Sequence, residues 1–238
     1  MIVFDSEEIK KDQVCFLHIP KTGGKTLWDL FGRQQETIHV WHSKFFKQLS
    51  QPEFLTMLRD PVDRVISTYY YIKRYERDPL YKQFRNMSLE QFVEYIKNDK
   101  IPNKRFKSKK DLRNLRYRTV NLATRYLSGG DPNNIKQAKN NIKRNISLVG
   151  FTDMYFESLF FMKKRFNWDL SAVKKQNQTK NRPKVNAIPK RLIKTIETYN
   201  QYDIELYRWA KAKFLKDIDA LDSQTRNEME VWVRDMQG

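Results

Sequence analysis

An internal disulfide and a membrane-spanning apolar run are both missing from this chain. Its 238 residues include one cysteine, Cys15. No internal disulfide can form, and without a redox partner Cys15 reads as a small core residue rather than a nucleophile. No apolar run approaches the ~20 residues of a membrane helix. Met1 to Gln13 lacks the apolar core of a signal peptide. The expectation is therefore a cytoplasmic protein with no membrane span, although a chain trimmed of a Golgi anchor would read the same. Repeats and low-complexity tracts are absent. Histidine is scarce, with three in all, and no cysteine or acidic ligand lies at useful spacing from them, so no metal site is expected. Acid is also short: 28 Asp and Glu stand against 46 Lys and Arg, a net charge of +18.

What is present is enough for a core. A content of 39% hydrophobic and 13% aromatic residues is too high for disorder. The length suits one sizeable domain. The positive charge is concentrated. Residues 104–118 carry Lys104, Arg105, Lys107, Lys109, Lys110, Arg113, Arg116 and Arg118 against Asp111 alone, and residues 163–191 carry ten Lys and Arg against Asp169 alone. From Asp217 onward the chain is acidic. Such asymmetry points to a polyanionic partner: nucleotide, nucleic acid, acidic polysaccharide or anionic membrane.

Short apolar strands alternate with helical patterns. Strands are expected at Val14–Ile19, Thr37–Trp41, Phe54–Leu58 and Ile146–Phe151. Helices are expected at Thr26–Arg33, Val62–Arg74, Leu89–Lys97, Leu112–Leu127, Tyr155–Phe166, Pro189–Tyr199 and Ile204–Leu215, with a polar helix capped by Asp131-Pro132 running to Arg144. This order implies an α/β fold: a P-loop-like parallel sheet of about four to five strands flanked by helices in a single domain. The domain is expected over residues 1–216, with 217–238 as an acidic helical tail.

Two stretches carry chemistry. Val14-Cys-Phe-Leu-His-Ile-Pro-Lys-Thr-Gly-Gly-Lys-Thr26 runs from a strand through a glycine turn into a helix start. Glycines let the backbone approach an anion, free helix N–H groups point at it, and lysine adds full charge. A Walker A loop would need glycine at Ile19, five before Gly24, so this is a different phosphate cradle. The second stretch, Phe54 to Tyr71, places Arg59 at a strand end and Ser67 eight residues later inside a helix. Ligands of open α/β sheets bind at the carboxyl ends of strands. Arg59 is thus expected beside the Lys21 loop, its planar fork suited to phosphate, with Ser67 in reach of the same anion.

Together these motifs resemble those of the PAPS-dependent sulfotransferases, in the branch of the heparan sulfate 2-O- and 6-O-sulfotransferases and their bacterial relatives. That family's 5′-phosphosulfate loop, P-K-T-G-x-[ST]-[ST], is matched by Pro20-Lys-Thr-Gly-Gly-Lys-Thr26. Its 3′-phosphate motif, R-D-P-x-x-R with a later serine, is matched by Arg59 to Ser67. Asn121 to Gly129 and, more loosely, Leu148 to Asp153 are similar to further family segments, and the likeness spans roughly residues 14–216. It implies the donor 3′-phosphoadenosine 5′-phosphosulfate (PAPS), with no metal required. By this resemblance Lys21 contacts the bridging oxygen and 5′-phosphate, and Thr22, Gly23, Gly24, Lys25 and Thr26 supply backbone and hydroxyl contacts. Arg59 and Ser67 hold the 3′-phosphate. Lys25 departs from the family pattern and reads equally as a second phosphate cation or an exposed lysine. Asn177 to Pro183 is similar to the family's late basic segment, making Lys180 and Arg182 candidates for donor contacts, with a solvated loop as the alternative.

An acceptor hydroxyl needs a base, and histidine suits neutral pH. His18 precedes the loop and reads as structural. His39 and His42 lie between loop and Arg59, where related carbohydrate sulfotransferases place a catalytic histidine ahead of aromatics. His42, followed by Phe45 and Phe46, fits that better; His39 is the second choice and a carboxylate the third. The implied acceptor is a sugar hydroxyl of a polysaccharide or glycolipid, and a phenol, small alcohol or peptide tyrosine would demand the same chemistry. The setting implied is microbial. A P-loop kinase gains from Gly24-Lys25-Thr26 and Asp60 but lacks the first Walker glycine. A nucleic-acid module would use the charge, yet no RRM, KH, zinc-finger or helix-turn-helix signature is present.

Overall fold

The computed structural model of the chain describes residues 1–6, 8–47, 50–97, 109–170 and 182–237, without the side chains of Lys25 and Lys109. Its sheet has five parallel strands: β1 (Ile2–Phe4), β2 (Val14–Leu17), β3 (Ile38–Trp41), β4 (Glu53–Leu58) and β5 (Ile146–Phe151). They lie in the order β1-β3-β2-β4-β5. Around them run α1 (Gly24–Phe31), α2 (Pro61–Arg74), α3 (Tyr81–Phe84), α4 (Leu89–Lys97), α5 (Lys109–Thr119), α6 (Leu122–Ser128) and α7 (Ile135–Asn145). The chain continues with α8 (Tyr155–Phe166), α9 (Lys190–Tyr199), α10 (Gln201–Asp219) and α11 (Ser223–Gln237). Among the described residues no helix is long and apolar enough to cross a membrane.

A parallel sheet must be covered on both faces, and the strand alternation does this. Cys15, Leu17, Phe54 and Phe151 point to one side, against Leu122, Tyr126, Ile142, Leu206 and Phe214 from α6, α7 and α10. Val14, Phe16, Ile38, Val40 and Leu55 point to the other, against Leu27 and Phe31 of α1 and Leu159 of α8. Burial pushes the Cys15 thiol up to about 12, helped by the charge of Asp5, so this sulfur is a core atom.

Two helix starts are written plainly in sequence. In Arg59-Asp60-Pro61, Asp60 caps α2 by accepting from the Asp63 N–H at 2.9 Å, and Pro61 takes the first helical position. Ser88 and Gln91 form the reciprocal capping box that opens α4, at 3.1 and 3.2 Å.

Elsewhere the structure corrects the expected elements. The single helix over Leu112–Leu127 is two, because Asn121 adopts a left-handed conformation (φ 44°) that breaks it. Partners from distant sequence satisfy the new helix start: Asn200 accepts from the Asn121 N–H, and Asp203 from Ala123 and Thr124 at 3.0 and 2.7 Å. The cap of α7 is Asn134 rather than Asp131-Pro132. An unforeseen strand, β1, extends the sheet beyond β3. The acidic tail forms α11, which packs on α8 and sets Trp232, Val233 and Met236 against the core.

Candidate active site

Every strand of a parallel sheet ends on the same edge, and here that edge gathers Asp5, His18 with its loop, His42 and Arg59. The loop after β2 curls through two left-handed residues, Lys21 (φ 73°) and Gly23 (φ 90°). Thr22 is buried, and its hydroxyl donates to the Ile19 carbonyl at 2.7 Å, closing the turn on itself. A Cβ on Gly24 would lie 2.2 Å from Nε2 of His18, so only glycine lets the loop press on that ring. No side chain caps α1 and no acid lies in its first turn, so its start keeps the partial positive charge of a helix N-terminus, with the Thr26 N–H donating to the Gly23 carbonyl at 3.2 Å. Thr26, half-buried, sits in that turn.

A crowd of cations borders the loop. Arg59 donates through Nη1 to the Lys21 carbonyl at 3.1 Å and through Nε to Asp63 at 2.5 Å. Arg182 pairs with the other oxygen of Asp63. The Lys21 ammonium lies 4.1 Å above the Tyr71 ring. Asp63, buried Ser67 and Tyr71 are four residues apart on α2 and share one helix face, which sets Ser67 between the anchors of Arg59 and Lys21. Arg118, held by Asp78 at 2.8 and 3.0 Å, adds a further charge. Burial, then Arg59, Arg74, Arg118 and Arg182, lower the Lys21 ammonium to about 8. Burial lowers Arg59 to about 10 against the pull of Asp60, and burial with Arg59 lowers Arg182 to about 10. Cations that lower one another's pKa are held in place by the fold and gain from an incoming anion. Lys180 lies outside the described residues, and Lys25 contributes its backbone to the first turn of α1.

The β1–β3 side differs in kind. Asp5, just past β1 and itself left-handed (φ 50°), accepts from the His42 backbone N–H at 2.7 Å. Its carboxylate also lies 3.1 and 3.3 Å from Nδ1 of His42. Phe4 stacks on the His42 ring at 5.7 Å, Trp28 meets it edge-on at 5.7 Å, and His18 meets it at 5.0 Å. Tyr126 of α6 donates to the His42 carbonyl at 3.1 Å and accepts the Phe45 N–H on its own carbonyl at 2.7 Å, fixing the turn after β3. Burial, then the charges of His42 and Lys21, lower His18 to about 3 despite Asp5, so this ring is neutral at neutral pH.

The structure thus brings Lys21, Thr22, Gly23, Gly24, Thr26, Arg59, Ser67, Arg182 and His42 to one edge. His39 is not among them. Strand alternation turns its side chain away from the face of Val40, and it is buried with Nε2 2.9 Å from Gln13. Asp5, Phe4 and Arg118 join the edge without having been anticipated. A three-residue strand leaves little periodicity to read, and Arg118 is one of many basic residues in its block. The second arginine of the motif, Arg64, has a structural post. Wholly buried, it donates to the Arg118 carbonyl at 2.9 Å and faces Asp203 at 3.8 Å.

The family model for galactose-3-O-sulfotransferase matches residues 46–237. The chain belongs to the galactose-3-O-sulfotransferase family. No curated protein matches it. Membership makes it a sulfotransferase within a family that sulfates carbohydrate, the class its two motifs resemble. The matched segment of this galactose-3-O-sulfotransferase family member includes Arg59, Ser67, Arg118 and Arg182. It begins after the Lys21 loop and after His42, so those residues stand on sequence and geometry alone.

Proposed function

We propose that this protein transfers the sulfuryl group of PAPS to a sugar hydroxyl, the 3-hydroxyl of a galactoside being the acceptor that its family suggests. The observation that carries the reading is the set of Lys21, Arg59, Arg118 and Arg182 around an uncapped helix start, with Lys21 at about 8. This donor set suits a ligand with phosphate at two places: N–H groups and a lysine at the loop for one, guanidinium forks and the Ser67 hydroxyl for the other. When bound, PAPS supplies the sulfuryl group with the 5′-phosphate as leaving group.

The protein's own part is positioning and charge, as in phosphoryl transfer. Lys21, with the α1 N–H groups, offsets the negative charge that grows on the leaving oxygen. Arg59, Ser67 and Arg182 fix the far end of the nucleotide, and Gly23 and Gly24 allow close approach. His42 takes the acceptor's proton on Nε2, and neutral His18 packs between base and loop without adding charge. A basic approach to this edge favours acceptors that are themselves anionic saccharides or glycolipids.

The test is transfer of labelled sulfate from PAPS to a panel of β-galactosides, including a 3-deoxy galactoside, with a phenol and a tyrosine peptide as controls. Label on the parent galactosides but not on the 3-deoxy compound is the expected result. Label on the phenol or peptide alone, or on nothing, overturns the acceptor assignment.

A further inference from the structure

We infer that Asp5 is the positioning residue for the base: its carboxylate holds the proton on Nδ1 of His42 and so presents Nε2 with its lone pair free. The inference rests on His42 acting as the proton acceptor. It uses a segment, residues 1–45, that lies before the family match.

Donors and acceptors around the ring decide its tautomer. An ionised carboxylate only accepts. Asp5 receives the His42 backbone N–H at 2.7 Å on Oδ1 and lies 3.1 Å from Nδ1 through Oδ2. A neutral imidazole carries one proton, and with a carboxylate at Nδ1 that proton belongs there. Nε2 is then the basic nitrogen.

Asp5 is itself held firmly. β1 pairs in parallel with β3, Phe4 opposite Val40, and the Asp5 N–H continues that ladder to the Val40 carbonyl at 3.0 Å. The left-handed turn at Asp5 then folds its side chain back toward β3, so β1 delivers one carboxylate to one ring. Phe4 lies against the face of the same imidazole, while Trp28 and His18 close its edges.

The titratable and charged groups on the elements around His42 are Asp5 after β1, His18 and Lys21 after β2, and Asp29 on α1. Arg125 and Tyr126 on α6, His39 on β3, Lys44 in the turn after it and the Cys15 thiol of β2 are the others among the described side chains. His18 and Tyr126 are uncharged at neutral pH: burial lowers the first to about 3 and, with Tyr117 beside it, raises the second above the ordinary phenol value. Lys21 opposes a second positive charge nearby. The Asp5 carboxylate is in direct contact with the ring and favours the imidazolium that forms during transfer.

In the step itself the acceptor oxygen bonds to sulfur as the bond from sulfur to the 5′-phosphate oxygen breaks. The hydroxyl proton passes to Nε2, and Asp5 stays ionised beside the imidazolium. The proton then leaves to water.

Asp5→Asn is nearly isosteric but reverses the pattern. The Asn carbonyl keeps the His42 backbone N–H, its NH₂ faces Nδ1, and the ring proton moves to Nε2. A wrong tautomer with intact geometry costs on the order of 10²–10⁴ in kcat. The expected result is that loss with the affinity for 3′-phosphoadenosine 5′-phosphate (PAP) unchanged within twofold. Asp5→Glu should recover part of the activity.

The direct readout is ¹⁵N NMR of the imidazoles in the wild-type protein without ligand, with His42 assigned by its loss in His42→Ala. A Nδ1–H tautomer that moves to Nε2–H in Asp5→Asn is expected. A Nε2–H tautomer in the wild type overturns the inference even if Asp5→Asn fails to fold, and so does an Asp5→Asn enzyme with wild-type kcat. Full activity in His42→Ala would instead overturn the base assignment and leave the tautomer result standing as a separate fact.

Discussion

On the β2–β4 side of the site, Lys21, Arg59, Arg118 and Arg182 stand close enough to lower the Lys21 ammonium to about 8. On the β1–β3 side, Phe4, His18, Trp28 and His42 pack ring against ring around one carboxylate. On the first side Asp63 answers Arg59 and Arg182 and Asp78 answers Arg118, so the four cations outnumber the carboxylates paired with them and an incoming anion would relieve the excess. The second is nearly neutral and tightly oriented, which is what moving a proton requires. On the proposed function, one edge of one sheet separates holding a donor from preparing an acceptor. His18 is where they meet, since both His42 and Lys21 act on its ring.

That division can be broken from either side. The largest effect is expected from His42→Ala: kcat should fall by about 10²–10⁴, the usual worth of a general base, with PAP affinity within twofold of wild type. A parallel loss of PAP affinity would mean that the sides are not separate. Next is Arg59→Ala, which removes a fork anchored on the Lys21 carbonyl and Asp63. Charge-assisted hydrogen bonds of this kind are worth about 1.5–3 kcal/mol, so PAP should bind roughly 10- to 100-fold more weakly. The His42 tautomer should not move.

A pH series sharpens the charged side. Lys21 has its folded pKa lowered to about 8, so it is protonated below that pH and loses its charge above it in the free protein. PAP binding favours the ammonium and must take up a proton above pH 8. Affinity measured by calorimetry should be flat below pH 8 and fall above it by at most about tenfold per unit. Lys21→Arg should flatten the decline. The smallest effect is expected from His39→Gln, which touches the core and neither side of the site: kcat should change less than about twofold. The unfolding free energy from urea denaturation should fall by no more than the ~1 kcal/mol of the hydrogen bond to Gln13.

Much of the donor side was legible because its signals are local. A strand, a glycine turn and a helix start are contiguous at Val14–Phe31. Arg59-Asp60-Pro61 states in three residues a proposed ligand position, a helix cap and a first helical residue. The acceptor side was legible only through His42. Its partners come from β1, whose three residues show no period, and the pairing with β3 that places Asp5 spans 37 residues of sequence. The break at Asn121 was hidden for a like reason. Apolar periodicity runs on through it, and the Asn200 and Asp203 groups that stabilise the new helix start lie about eighty residues away. Arg64 shows the converse: the second arginine of the same motif is fully buried against Asp203 and the Arg118 carbonyl, holding the frame.

The central claim is that the charged side is shaped for an adenosine bearing phosphate at both its 3′ and 5′ positions. The most direct measurement is a calorimetric titration of the wild-type protein, without Mg²⁺, with PAP and with 5′-ADP, which lacks the 3′-phosphate. The account predicts that PAP binds at least ~10- to 100-fold more tightly, the worth of the Arg59 and Ser67 contacts to that phosphate. ADP binding as tightly as PAP, or MgATP binding more tightly than either, would contradict it.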